Sequence, residues 1–276
     1  SHTGTEALIL AAVLAKGRSV IKNAGQEPEI DDMIEFLNKM GAKITRMKTD
    51  DAIIIDGVQK LHGSSHSVMS DRNEAVSFAC LAISTKGDVI VEGAVAKDLQ
   101  SFLSKLDEIG AGYEQSSQGI RFYYKSPLRA ANLKTAPEPG FMTDWQPLWT
   151  TMMTTAAGTS EIVEAVHNNR LIFTQELNKM GANIELYDPS PESPDVFYQF
   201  DWPERVKNMH AARVHGPTPL IGKHLTIPDL RGGATLVMAA IMAKGESVID
   251  GVEHIDRGYE DFDTRLQSLS AKIQRE

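Results

Sequence analysis

Every residue from 7 to 15 is apolar. A run with no polar face predicts a helix enclosed by other elements. A different rhythm follows: Ile30, Met33, Ile34, Leu37 and Met40 recur at helical spacing, with Pro28 and Glu29 suited to a first turn. That pattern predicts an amphipathic helix with one face in water. Residues 52–56 and 120–124 are β-branched or aromatic runs bounded by turn residues, and predict strands.

The same order of patterns occurs four times, as AAVLAKGRSVIKNA…FLNKMGAKI, LAISTKGDVIVEGA…KLDEIGAGY, TTAAGTSEIVEAV…ELNKMGANI and AAIMAKGESVIDGV…RLQSLSAKI. Gly17, Gly87, Gly158 and Gly245 close the first helices at intervals of 70, 71 and 87 residues. Gly41, Gly110, Gly181 and Ser270 follow the second helices, 24, 23, 23 and 25 residues later. A helix that stops abruptly favours a left-handed residue just past its end, which glycine supplies without strain. Each copy therefore reads as a βαβαββ unit whose first helix is central and whose second is partly exposed. Solenoid repeats have shorter periods, roughly 20–50 residues, so units this large are expected to close a few-fold domain of mixed α/β (α+β) class. The last interval carries 16 extra residues (87 − 71), falling in 187–216, with Pro189, Pro191, Pro194, Pro203 and several acids. That insertion reads as a surface excursion without a direct catalytic role.

Composition narrows the function. The 276 residues are 42% hydrophobic and 24% charged, with a net charge of −9 and no basic stripe, which argues against nucleic acid or anionic membranes as partners. Any anionic ligand must be held by a few local arginines. The single cysteine, Cys80, excludes a disulfide framework and a multi-thiolate zinc site, and fits a reducing, cytoplasmic setting. It lies in an apolar helix and reads as a small buried hydrophobe. His62, His66, His210, His215 and His224 are scattered without metal-ligand spacing, and no metal or cofactor is expected. The apolar run at 7–15 is shorter than the roughly 20 residues a membrane span needs. The chain starts at Ser1 without a leader and enters its first helix abruptly, which suggests a chain cut inside a domain.

Three segments carry candidate chemistry. Residues 135–146, TAPEPGFMTDWQ, deliver Thr143 and Asp144 just ahead of an apolar helix. Spacing favours an N-cap there; a carboxylate base is the other reading. Residues 228–234, PDLRGGA, set Arg231 and two glycines at a helix start. That is either an anion site of guanidinium and exposed N–H groups, or a glycine-rich helix entry. Residues 254–260, HIDRGYE, open the next helix with Asp256 and Arg257, a capping pair unless the two arginines converge on a dianionic ligand. Arg170, in Val166-His167-Asn168-Asn169-Arg170, and Arg72, in Ser70-Asp71-Arg72-Asn73-Glu74, add arginines near other helix starts. No Walker loop, GxSxG elbow or dinucleotide fingerprint is present.

With these motifs, and with residues 1–17, Asn23-Ala24, Glu27-Pro28-Glu29-Ile30 and 39–44 (KMGAKI), the chain resembles the UDP-N-acetylglucosamine enolpyruvyltransferase family over essentially its whole length. The resemblance implies an inside-out α/β barrel, or alpha-beta prism: two pseudo-threefold domains with the active site in the cleft between them. It makes residues 1–69 the last unit of a truncated first domain and 70–276 a second domain of three units. It implies transfer of the enolpyruvyl group of phosphoenolpyruvate to the 3-hydroxyl of UDP-N-acetylglucosamine. Asp144 matches the candidate base, and Arg231 and Arg257 match the arginines on the phosphoenolpyruvate phosphate and carboxylate. Ser1, His2 and Thr3 match a loop that meets the nucleotide diphosphate, Val166 a backbone contact to the sugar nucleotide, and Arg170 and Arg72 cleft residues. The loop reads Ser-His-Thr-Gly rather than the family's Ser-Val-Gly, and His167-Asn168 stands where the family has Phe-Glu. The family's Lys-Asn pair, a further arginine and its mobile-loop acid would precede Ser1, and Cys80 does not replace that acid. The alternatives are the related shikimate-pathway enzyme, and a non-catalytic sugar-nucleotide-binding remnant.

Overall fold

The structure is a computed structural model that describes residues 1–47, 51–200 and 209–276, so Pro203 of the proline-rich insertion lies outside the described residues. Two compact units emerge: Ser1–Ser70 with Pro137–Pro139, and Asp71–Ala136 with Gly140–Glu276.

The smaller unit holds α1 (His2–Ala12), β1 (Arg18–Ile21), α2 (Pro28–Lys39), β2 (Lys43–Met47) and β3 (Ala52–Asp56). The strands form an antiparallel sheet of order β1-β3-β2, with Asp56 opposite both Arg18 and Lys43. Ile30, Ile34 and Leu37 of α2 join Ile9, Val13, Ile44, Ile53 and Ile55 in one core, as the helical spacing predicts. The chain leaves β3 through Gly57, where an added Cβ would lie 1.6 Å from the Ala15 carbonyl oxygen. Gly57→Ala is therefore expected to force the 13–17 turn off the sheet and to accelerate amide exchange throughout β1 and β3, measured by hydrogen–deuterium exchange.

In one respect this unit departs from expectation. Its first apolar run is not enclosed: Leu8 and Leu10 of α1 and Leu14 just after it are each more than half exposed. A hydrophobic run can be buried on all sides only where other helices cover it, and the small unit has a single helix of that kind.

The larger unit shows what such helices do when they have sisters. Its elements are α3 (Arg72–Ser84), β4 (Asp88–Glu92), α4 (Gln100–Ile109), β5 (Gly112–Gln115), β6 (Gly119–Tyr123), β7 (Leu133–Lys134), α5 (Gln146–Met153), β8 (Gly158–Val163), α6 (Thr174–Lys179) and β9 (Ile184–Tyr187). There follow α7 (Pro194–Phe197), β10 (Ala211–Gly216), β11 (His224–Thr226), α8 (Leu230–Met242), β12 (Val248–Asp250) and α9 (Phe262–Ser268). α3, α5 and α8 pack on one another. Every residue of α5 is buried, and the apolar stretches of α3 and α8 are buried with it. Three open sheets surround them, ordered β4-β6-β5, β7-β8-β10-β9 and β11-β12. Helices inside and sheets outside is the inside-out arrangement; the sheets stay separate, and among the described residues no ring of strands closes.

The antiparallel order β1-β3-β2 recurs as β4-β6-β5 and β8-β10-β9, while β7-β8 and β11-β12 are parallel. The turns after the second helices use the left-handed region in all four copies: Gly41 (φ 95°), Gly110 (φ 79°), Gly181 (φ 100°) and Ser270 (φ 71°). Ser270 thus adopts the conformation that glycine provides elsewhere. Among the first-helix turns Gly87 is the exception, for the left-handed residue there is Lys86 (φ 58°). Among the described residues no helix is long and apolar enough to cross a membrane.

Candidate active site

Asp144 sits on a short 3-10 turn, Thr143–Trp145, directly before α5. Neither Thr143 nor Asp144 caps the helix, since no side-chain cap bond forms at its start; the cap that spacing favours is overturned. The Asp144 carboxylate instead faces two guanidiniums. Arg170 Nη2 donates to Oδ1 at 2.9 Å, and Arg231 Nη2 donates to Oδ2 at 2.9 Å. Arg170 Nε also donates to Thr143 Oγ1 at 3.3 Å.

The fold places the three charges from three directions. Trp145, fully buried against Phe102 and Phe141, anchors the Asp144 turn. Arg170 begins a 3-10 turn after Asn169, which takes the left-handed conformation. Arg231 lies in the first turn of α8, whose N-cap Asp229 accepts from the Gly232 N–H at 2.8 Å. Burial opposes the charge on Arg231, but Asp144 and the Tyr259 hydroxyl outweigh it and hold its pKa above the ordinary arginine value. Tyr259 is itself buried, which pushes its pKa up, and its hydroxyl lies 2.8 Å from Ser77 Oγ. One carboxylate against two guanidiniums leaves an excess positive charge in a partly buried place, a setting suited to an anionic ligand.

Not every expected residue joins this cluster. Arg72 is 3% exposed; its guanidinium donates to the Asp98 carbonyl at 3.2 Å and lies over the Trp145 ring at 5.5 Å. Its charge is engaged within the fold. Arg257 is exposed, and no ion pair or hydrogen bond links it to Asp144 among the described residues. HIDRGYE does not open a helix: α9 begins only at Phe262, and Asp256 pairs with Arg275 instead of capping. Ser1, His2 and Thr3 belong to the smaller unit and form no loop. Ser1 caps α1 by accepting from the Gly4 N–H at 3.4 Å, while His2 and Thr3 form its first turn. Cys80 is fully buried, and burial pushes its thiol pKa far above the ordinary range.

Val166 follows a residue that sequence reasoning missed. Glu164 is completely buried, and its Oε1 accepts from Thr135 Oγ1, the Val166 N–H and the His167 N–H, each at 2.8 Å. Burial raises its pKa against those hydrogen bonds. The signal available was an acid set directly after the apolar end of a strand. A carboxyl whose folded pKa exceeds its unfolded value contributes fully below the unfolded value of about 4.3 and loses that contribution as pH rises through the folded one. Glu164→Gln should therefore remove a component of the stability loss above about pH 4.3, seen as a flatter dependence of the urea midpoint on pH than in the unaltered chain.

His167 lies beside the same cluster. Desolvation, reinforced by Arg170, holds its pKa below the ordinary histidine value.

A sequence model of EPSP synthase (3-phosphoshikimate 1-carboxyvinyltransferase) matches residues 1–266. The chain belongs to this family. It is 42% identical over 270 residues to the UDP-N-acetylglucosamine 1-carboxyvinyltransferase of Protochlamydia amoebophila (strain UWE25), covering 98% of this chain and 57% of that protein. It is 42% identical over 271 residues to the protein of that name from Chlamydia muridarum, covering 98% of this chain and 60% of the relative. The chain thus spans less than two thirds of the length of these relatives. Among solved structures, the enolpyruvyl transferase NikO from Streptomyces tendae superposes with a TM-score of 0.84 at 23% identity, over 99% of this chain and 60% of its own. EPSP synthase from Acinetobacter baumannii gives 0.71 at 19%, over 97% and 60%. Both share the fold, so the enolpyruvyltransferase architecture read from the sequence holds.

Proposed function

We propose that the chain takes part in moving the enolpyruvyl group of phosphoenolpyruvate onto the 3-hydroxyl of UDP-N-acetylglucosamine, with release of phosphate. The observation that carries this reading is the Asp144 carboxylate bridged at 2.9 Å to both Arg170 and Arg231. Such a cluster offers what the reaction needs on the sugar side: a base for a hydroxyl proton and cations for a highly anionic intermediate. The sugar oxygen forms its bond to C2 of phosphoenolpyruvate while Asp144 takes the proton. C3 gains a proton, and the phosphate then leaves as the double bond re-forms at the expense of a C3 proton. In this reading Arg231 and the exposed Arg257 together hold the phosphate and carboxylate of phosphoenolpyruvate. The cluster contains a base and cations; the acid that protonates C3 is not among them.

The names of the 42% identical relatives support the nucleotide-sugar acceptor. The Val166 backbone and Arg170 contact that acceptor in this reading, and Ser1, His2 and Thr3 contact its diphosphate. The reaction then belongs to cytoplasmic peptidoglycan synthesis. The domain organisation is part of the same proposal: residues 1–69 form one unit of a three-unit domain and 70–276 a second domain. The bared Leu8 and Leu10 of α1, and Leu14 just beyond it, support it, because the sister helices α3, α5 and α8 cover one another where α1 stands alone.

Calorimetric titration with UDP-N-acetylglucosamine and with shikimate 3-phosphate tests the acceptor. Binding of the first alone is expected; preference for the second would transfer the chain to the shikimate reaction.

A further inference from the structure

After β8 the chain must turn so that Arg170 meets Asp144. Five backbone groups at the start of that turn are tied. The Glu164 N–H donates to the His210 carbonyl at 2.8 Å, and the Ala165 carbonyl accepts from the Gln199 N–H at 2.7 Å. The Ala165 N–H donates to Thr135 Oγ1 at 2.8 Å, and the next two N–H groups go to Glu164 Oε1. Oε1 thus gathers three donors, while Oε2 is buried and has no hydrogen-bond partner among the described residues.

Burying a carboxyl is costly, and an apolar side chain of similar shape would fill the space at lower cost. What an apolar residue cannot do is hold two successive N–H groups and a hydroxyl on one atom. That contact joins the segment leading toward Asp144, through Thr135, to the turn carrying Val166 and Arg170.

We propose that Glu164 is a positioning residue for the nucleotide-sugar subsite, its Oε1 fixing the turn that presents the Val166 backbone and aims Arg170 at Asp144. The inference rests on the sugar-nucleotide reading given above. Because His210 and Gln199 also hold the turn, losing Glu164 alters its detail without freeing it altogether.

The test compares the full chain with Glu164→Gln, Glu164→Ala and Thr135→Val. Glutamine keeps an oxygen where Oε1 sits, whereas alanine does not. UDP-N-acetylglucosamine affinity should fall by roughly 10-fold or more in Glu164→Ala, as expected when three buried donors lose their acceptor, and stay within about 3-fold in Glu164→Gln. The Arg170 Nε–H resonance should move in Glu164→Ala, keep its place in Glu164→Gln, and keep its place in Ile162→Val, a core variant that loosens the same strand without touching the turn. Wild-type affinity and an unmoved resonance in Glu164→Ala would overturn the proposal, as would a resonance that moves equally in Ile162→Val. If Glu164→Ala does not fold, Thr135→Val decides: a shifted resonance with weaker binding supports the proposal, and no change in either overturns it. Failure of the unaltered chain to bind UDP-N-acetylglucosamine is a separate result, which defeats the underlying reading and the inference with it.

Discussion

In the proposed enolpyruvyl transfer by the full-length protein, Asp144→Asn is expected to lower turnover by roughly 10²–10⁴-fold, the range a positioned general base contributes, with little change in the urea midpoint. The amide keeps an oxygen for one arginine but sets an N–H₂ group against the other, so the Arg170 and Arg231 contacts at 2.9 Å cannot both survive. The side chain is only partly buried, which lets water satisfy what the substitution leaves open. Phosphate release from phosphoenolpyruvate in the presence of UDP-N-acetylglucosamine is the measurement. Activity within about 3-fold of the unaltered chain, below the range for general-base catalysis, would remove Asp144 from the role of base.

Phe102→Ala has the largest effect expected on stability, about 3–5 kcal/mol. The ring is fully buried, with centroids of Phe122, Phe141, Trp145 and Trp149 at 6.0–6.3 Å, mostly edge-on. Removing it opens a cavity beneath Trp145, the neighbour that anchors Asp144. Urea unfolding followed by tryptophan fluorescence reads both consequences, a lower midpoint and an altered native signal. A loss under about 1 kcal/mol, typical of surface positions, would show that the aromatic cluster closes over the gap.

The repeats were legible because their signals are local. A left-handed turn after a helix needs only glycine or a tolerant substitute at one position, and α2 needs only its own periodic stripe. The course of the Asp144 side chain was not legible in that way. Whether a carboxylate caps its own helix or leaves it for another partner depends on what the rest of the chain brings near, here arginines 26 and 87 residues away. Arg72 shows the same limit in reverse: a charge at a helix start reads as available, and Trp145 with the Asp98 carbonyl engages it. The apolar run at 7–15 predicted a covered helix, but cover depends on neighbours and not on the run itself. Glu164 was overlooked because a single acid after a strand carries no motif, and its significance lies in Thr135, which is 29 residues away.

An interior of helices walled by sheets also decides where the protein accepts change. In many α/β proteins charge and labels go on the outer faces of helices, but α5 has no such face. Outward positions lie on the strands and on the amphipathic second helices. Val20, Ile90 and Val248 stand at matching places in three copies, each about half exposed on an edge strand. An exposed apolar edge invites strand pairing between molecules, and lysine at such places is how natural sheets discourage it. For an engineer seeking a more soluble chain or a site for a fluorophore, these three positions are the strand sites to use.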